Sequence, residues 1–141
     1  MPASFNTAIL RDLMRSFINE QRQNLARNGF NALSRMLVVV LHRGSLSQAE
    51  LGQILALEKS WVSRAVDKLV TQGWVERQPN PADRRGVLLQ LTEAGRAEAL
   101  AVEAVLESHA ESVLARVPVT KLPAVLDALA VLRQAFDLPA A

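Results

Sequence analysis

The sequence predicts a mainly α-helical fold with one small β-hairpin, and three observations predict it. Apolar residues recur at helical spacing, as in Ile9, Leu13, Met14, Phe17 and Ile18 near the start. Hydrophobic residues make up 50% of the chain but include only four Phe and two Trp; alanine, leucine and valine dominate, a mixture suited to closely packed helices. One stretch, residues 74–91, changes rhythm, with two short apolar runs around a cluster of Pro, Asn, Asp and Gly. At 141 residues the chain fits a single domain.

Taken in order, Phe5 to Leu25 reads as a helix that Asn28-Gly29 interrupts. A nearly all-apolar helix follows from Ala32 to His42 and stops before Gly44. Its Val38-Val39-Val40 run also fits a buried strand, but Leu33 and Met36 open the pattern at helical spacing. Ser47-Gln48-Ala49-Glu50 has the form of a capping box, in which hydroxyl and carboxylate each satisfy a free backbone N–H near the other. It opens a short helix to Leu55. Ala56-Leu57-Glu58 makes a turn, and a further helix from Lys59 to Gln72 is closed by Gly73. Two short helices joined by a tight turn form a helix-turn-helix unit.

Trp74 to Gln78 and Val87 to Leu91 read as strands, with Pro79 to Gly86 as a long basic tip between them. That hairpin is a wing. Thr92 caps a long helix to Arg116, with Glu93 in its first turn and Leu100, Val105, Leu106, Val113 and Leu114 on its apolar side. Val117-Pro118-Val119 breaks it, and Thr120 is expected to cap a last helix bearing Leu122, Val125, Leu126, Leu129, Leu132 and Phe136. Leu138 to Ala141 should fray. The fold class is thus a winged helix-turn-helix domain, mainly α with a small β-hairpin wing, between N- and C-terminal helices.

Composition removes several functions. With no cysteine, disulfides, thiolate zinc sites and cysteine redox sensing are absent from the chain. No apolar run approaches the ~20 residues that span a bilayer, and Met1 to Leu10 lacks the look of a signal peptide, so a cytoplasmic protein is expected. His42 and His109 stand far apart, and no glycine-rich phosphate loop or catalytic constellation is visible. The expectation is therefore no enzyme, no cofactor and no metal. Net charge runs from +3 over residues 1–57 to +2 over 58–92 and −3 over 93–141. That sign change fits a chain in which one end faces a polyanion.

Function concentrates on the helix after the turn. Val62, Ala65, Val66, Leu69 and Val70 share one face, and Ser60, Trp61, Ser63, Arg64, Asp67 and Lys68 the other, with Lys59 at its entry. A helix of this width fits the DNA major groove, where Arg or Lys reaches guanine O6 and N7 and Ser reaches base edges or phosphates. For an isolated helix an ordinary solvated face is the better reading. The capped helix before it and the basic hairpin after it reverse that preference. Trp61, at the edge of the exposed face, has two readings: contact with thymine methyls or sugars, or packing over the neighbouring helix. Trp74 reads as structural. Arg84 and Arg85 suit a narrow, negative minor groove. Asp83 beside them either holds a guanidinium in one orientation or forms an ordinary exposed ion pair.

Residues Ser45 to Arg96 resemble the MarR family of regulators. The family's wing signature is Asp, any residue, Arg, five residues, then Leu-Thr, and Asp83, Arg85, Leu91 and Thr92 meet it. The resemblance implies that Lys59 to Lys68 read the major groove. It also implies that Arg84 or Arg85 enters the minor groove and that Asp83 orients a wing or helix arginine. Trp61 stands where the family more usually has a small residue. The family further implies a homodimer joined through residues 1–30 and 93–141 around a DNA-binding lobe of residues 31–92. It implies a pseudo-palindromic double-stranded DNA site, repression as the commoner output, and release by a small-molecule effector. Arg15, Phe17, Met36 and His42 are candidate effector linings by location alone. Independently, the apolar stripes with Ile9, Leu13, Leu126, Leu129 and Phe136 call for a partner surface. The rival expectation is a winged-helix module that binds a protein partner and no DNA.

Overall fold

A computed structural model describes residues 4–139, so the last two residues of the expected fraying tail lie outside the described part. The elements are α1 (Thr7–Arg27), α2 (Ala32–Arg43), β1 (Ser45–Ser47), α3 (Gln48–Leu55), α4 (Lys59–Thr71), β2 (Val75–Asn80), β3 (Asp83–Leu91), α5 (Glu93–Ala115), a 3-10 turn (Val119–Lys121) and α6 (Leu122–Ala135). No helix among the described residues is long and apolar enough to cross a membrane. The chain divides into two compact units, Met1–Leu106 and Glu107–Ala141.

The first unit holds one core. Met36, Leu37 and Val40 of α2 meet Leu51 of α3, the inner face of α4, and Leu46, Val75 and Leu89 of the three strands. Residues 38–40 are helical, so the valine run is part of α2. Asn31 starts that helix, its side chain accepting from the amides of Leu33 and Ser34. Before α3 the capping box is half formed. Ser47 Oγ accepts from the Glu50 amide at 3.1 Å, but the Glu50 carboxylate takes the Ser47 hydroxyl at 3.3 Å and leaves the Ser47 amide alone. Ser47 is also the last residue of β1, set opposite Leu88.

β1 is an addition to the expected hairpin. The sheet has three strands in the order β1-β3-β2, both pairings antiparallel. The hairpin is also longer than expected. Pro79 pairs with Val87 and Asn80 with Asp83, across a register shift, so the turn shrinks to Pro81 and Ala82. Prolines are tolerated because β2 is an edge strand, where a missing N–H need not interrupt a ladder.

At the exit of the sheet, Thr92 ties three segments together. Its amide donates to the Trp74 carbonyl at 3.0 Å and its hydroxyl to the Gly73 carbonyl at 2.5 Å. The same oxygen accepts from the Gly95 amide at 3.0 Å and so caps α5. Gly73 has φ +77°, the left-handed conformation that lets the chain pass from α4 to β2 across three residues.

In the second unit, Thr120 does not cap α6. It lies within the 3-10 turn, and the helix starts at Leu122 with Pro123 in its first turn. A proline there loses no helical hydrogen bond, which fixes the start two residues beyond the expected cap. No residue of α6 is buried within the chain.

Candidate nucleic-acid interface

The α4 sequence KSWVSRAVDKLVT divides into two faces. Val62, Ala65, Val66 and Leu69 are buried against α2, α3 and the sheet, with Val70 half-buried. Burying the Val and Leu side chains is worth roughly 1.5–3 kcal/mol each, enough to fix the rotation of the helix about its axis. That rotation turns Lys59, Ser60, Arg64, Asp67 and Lys68 outward, with Ser63 half-buried beside them. The turn before α4 is tight. Ala56 adopts a left-handed conformation (φ 54°), and its amide and that of Leu57 bond back to the Gln53 and Gly52 carbonyls. Gly52 is buried there; a Cβ on it would press on the Leu57 carbonyl and on Val62 at 3.3 Å each.

In the wing, Arg84 and Arg85 are exposed on β3 just past the two-residue turn, and the tip is braced from within. Asn80 Oδ1 accepts from the Ala82 amide at 2.9 Å, and Asp83 Oδ1 from the Arg85 amide at 3.0 Å. Asp83 therefore shapes the backbone that presents the two arginines; among the described residues it holds no guanidinium. Among the described residues Lys59, Arg64, Lys68, Arg84 and Arg85 enter no ion pair, so five cations remain open on α4 and the wing.

Among the described residues of α4 and the wing, the arginine that a carboxylate does hold is Arg77, at the wing's root. Its Nη2 donates to Asp67 Oδ1 on α4 at 2.5 Å and to Gln48 Oε1 on α3 at 3.4 Å. Sequence reading missed this pairing. The two charges stand ten positions apart and on different elements, and only the closed fold brings them together.

Trp61, 39% exposed, points to a cleft of about 530 Å³ that it lines with Met36, Val39, Leu55, Leu57 and Leu106. Ala32, Arg35 and Val38 complete the lining. Trp61 stands outside the core cluster, as an exposed ring at the edge of α4 that also lines this cleft. Of the residues considered for an effector, Met36 lies on this cleft. His42 instead pairs with Glu103 of α5 at 2.6 Å, and Arg15 with Asp12 along α1 at 3.5 Å, both at the surface. Phe17 is half-buried on α1.

A helix-turn-helix with a buried inner face, a cationic outer face and an arginine-bearing hairpin beside it defines a winged helix-turn-helix protein of the DNA-binding class. Comparison narrows the class. A sequence model described as MarR family matches residues 34–86. The multiple antibiotic resistance protein MarR of Salmonella typhimurium is 31% identical over 99 residues, covering 66% of this chain and 69% of that protein. Transcriptional repressor MprA of Escherichia coli is 28% identical over 92 residues, 63% of this chain and 52% of its own. Among solved structures, apo wild-type MarR from E. coli has a TM-score of 0.80 at 21% identity, covering 94% of this chain and 98% of the other. A point mutant of E. coli MarR complexed with operator DNA has a TM-score of 0.67 at 22% identity, covering 89% and 91%. The chain belongs to the MarR family of DNA-binding transcriptional regulators, a non-enzymatic class, and its fold is theirs.

Proposed function

We propose that this regulator is a repressor that binds a pseudo-palindromic duplex as a homodimer in the cytoplasm. The observation that carries the reading is the two-sidedness of α4, whose inner face is buried while its cations stay exposed beside the wing. In this reading α4 lies in the major groove. Arg64 reads a guanine edge, Ser60 and Ser63 reach base edges or phosphates, and Lys59 and Lys68 meet the backbone. Trp61 adds what contact its exposed edge allows. Arg84 and Arg85 enter the adjacent minor groove, at an angle set by the Asp83-braced tip.

The homodimer reading is supported by helices that cover little of their own apolar surface. On α1, Ile9 and Leu13 are 68% and 46% exposed, and on α6 Leu126 and Leu129 are 46% and 40% exposed. Residues 1–30 and 93–141 then serve dimerisation within a single MarR-like domain, and residues 31–92 serve DNA. Two copies set two α4 helices about one helical turn of DNA apart. The cleft under Trp61 is of a size that holds a small molecule. Its apolar wall and the Arg35 rim fit an aromatic anion. Such an effector would press on the first turn of α4 and release DNA.

The test is a salt series on duplex selected by the protein from a randomised library. Affinity should fall steeply and log-linearly with salt through counterion release. The Arg84→Ala, Arg85→Ala double variant should bind more weakly with its major-groove base preference retained. Unchanged affinity in that variant removes the wing from the interface, and no binding at any ionic strength removes the DNA reading.

A further inference from the structure

The Arg77 contact carries an inference beyond the groove assignments. Asp67 is an anion on the outward face of α4, amid Lys59, Arg64 and Lys68, where a carboxylate opposes approach to phosphates. Its partner comes from β2, where Arg77 stands opposite the buried Leu89 of the central strand. One nitrogen, Nη2, thus reaches α4 through Asp67 at 2.5 Å and the start of α3 through Gln48 at 3.4 Å. These are the three elements whose relative placement decides whether helix and wing meet neighbouring grooves together.

We propose that Asp67 and Arg77 are positioning residues for DNA binding. Their ion pair docks the root of the wing on the recognition helix and presets the spacing between Arg64 and the Arg84-Arg85 pair. The inference rests on the reading that α4 and the wing both lie in DNA. The pair is partly solvated, with side-chain exposures of 36% for Arg77 and 62% for Asp67. It therefore contributes little to folding and acts by restricting the hairpin before DNA arrives.

This assignment fixes a sign that ordinary electrostatics reverses. Deleting an unpaired carboxylate from a surface facing a polyanion strengthens binding, and alanine is also the better helix former. If the pair positions the wing, Asp67→Ala instead weakens binding, by about fivefold for a pair this exposed. Arg77→Ala should give a similar loss with the salt dependence unchanged, because a lost phosphate contact would lower the slope by about 0.9. The double variant should be no weaker than either single one.

The experiment measures affinity across a salt series for these variants on the duplex the wild type selects from a randomised library, with a thermal melt of each. Asp67→Asn, which keeps shape and one acceptor oxygen, must show the same sign and covers the case in which alanine disturbs the helix. Equal or tighter binding by the Asp67 variants, or losses that multiply in the double variant, overturns the inference and leaves the DNA reading intact. A wild type that selects no duplex overturns both.

Discussion

Arg64 illustrates how the core sets the placement of a single surface side chain. It sits one helical turn beyond Ser60, between Val62 and Ala65, which are buried, so the core dictates where its guanidinium points. Arg64→Ala is expected to weaken specific binding by about 1–3 kcal/mol and to relax preference at one base-pair position, as read by affinity across a panel of point-substituted duplexes. A different quantity is at stake at Ala56. Its φ of 54° is a conformation in which Cβ crowds the backbone. Ala56→Gly removes that strain at some cost in unfolded-chain entropy and should stabilise the fold by up to about 1 kcal/mol, raising the midpoint of a thermal melt with DNA affinity unchanged. These roles differ in legibility. The two faces of α4 follow from its 3.6-residue period, whereas the strain at Ala56 belongs to a turn that chain order alone does not specify.

Among the elements, the joint where β2 leaves α4 and α5 begins is the most constrained. A Cβ built on Gly95 would overlap the Trp74 carbonyl, the group that already accepts from the Thr92 amide. Backbone cannot yield as a side-chain tip can. Gly95→Ala should therefore cost about 2–3 kcal/mol, the upper part of the range for overpacking, and lower the melting midpoint by several degrees. A melt within error of wild type would show that this joint is slack. The helices were legible from their periodic stripes, helped in α3, α4 and α5 by the starts and stops at Ser47, Gly73 and Thr92, whereas the start of α6 was misplaced at Thr120. β1 was not legible. Its three residues carry no alternation long enough to detect, and Ser47 was already accounted for as a cap. The wing's length was hidden for the opposite reason: Pro79-Asn80-Pro81 is rich in turn formers, yet an edge strand accepts prolines that a central strand would reject.

For the whole molecule, the deciding question is what covers α1 and α6. A 14-residue helix with no buried residue has little reason to persist without a partner, because short helices gain most of their stability from packing. Leu126→Glu with Leu129→Glu should reduce the mass measured by light scattering to that of one 15.4 kDa chain. Affinity for a two-half-site duplex should then fall by about 100-fold or more, because two linked contacts become separate ones. An unchanged mass would take α6 out of the proposed dimer contact. The exposed apolar stripes of α1 and α6 were legible in the sequence, but the candidate site was only partly so. Cations on α4 and the wing can be read from periodicity and a motif, whereas the Arg77 clasp and the cleft beside Trp61 arise from residues that only folding brings together.

In the strand order β1-β3-β2 the central strand is the last of the three along the chain. A chain severed between Pro81 and Ala82 would leave β1 and β2 on the first fragment with an open slot between them, and the second fragment would begin with the strand that fills it. The turn at the wing tip is thus the natural seam of the molecule. Two separately made fragments divided there should find each other and restore the sheet, giving a regulator that can be assembled from halves.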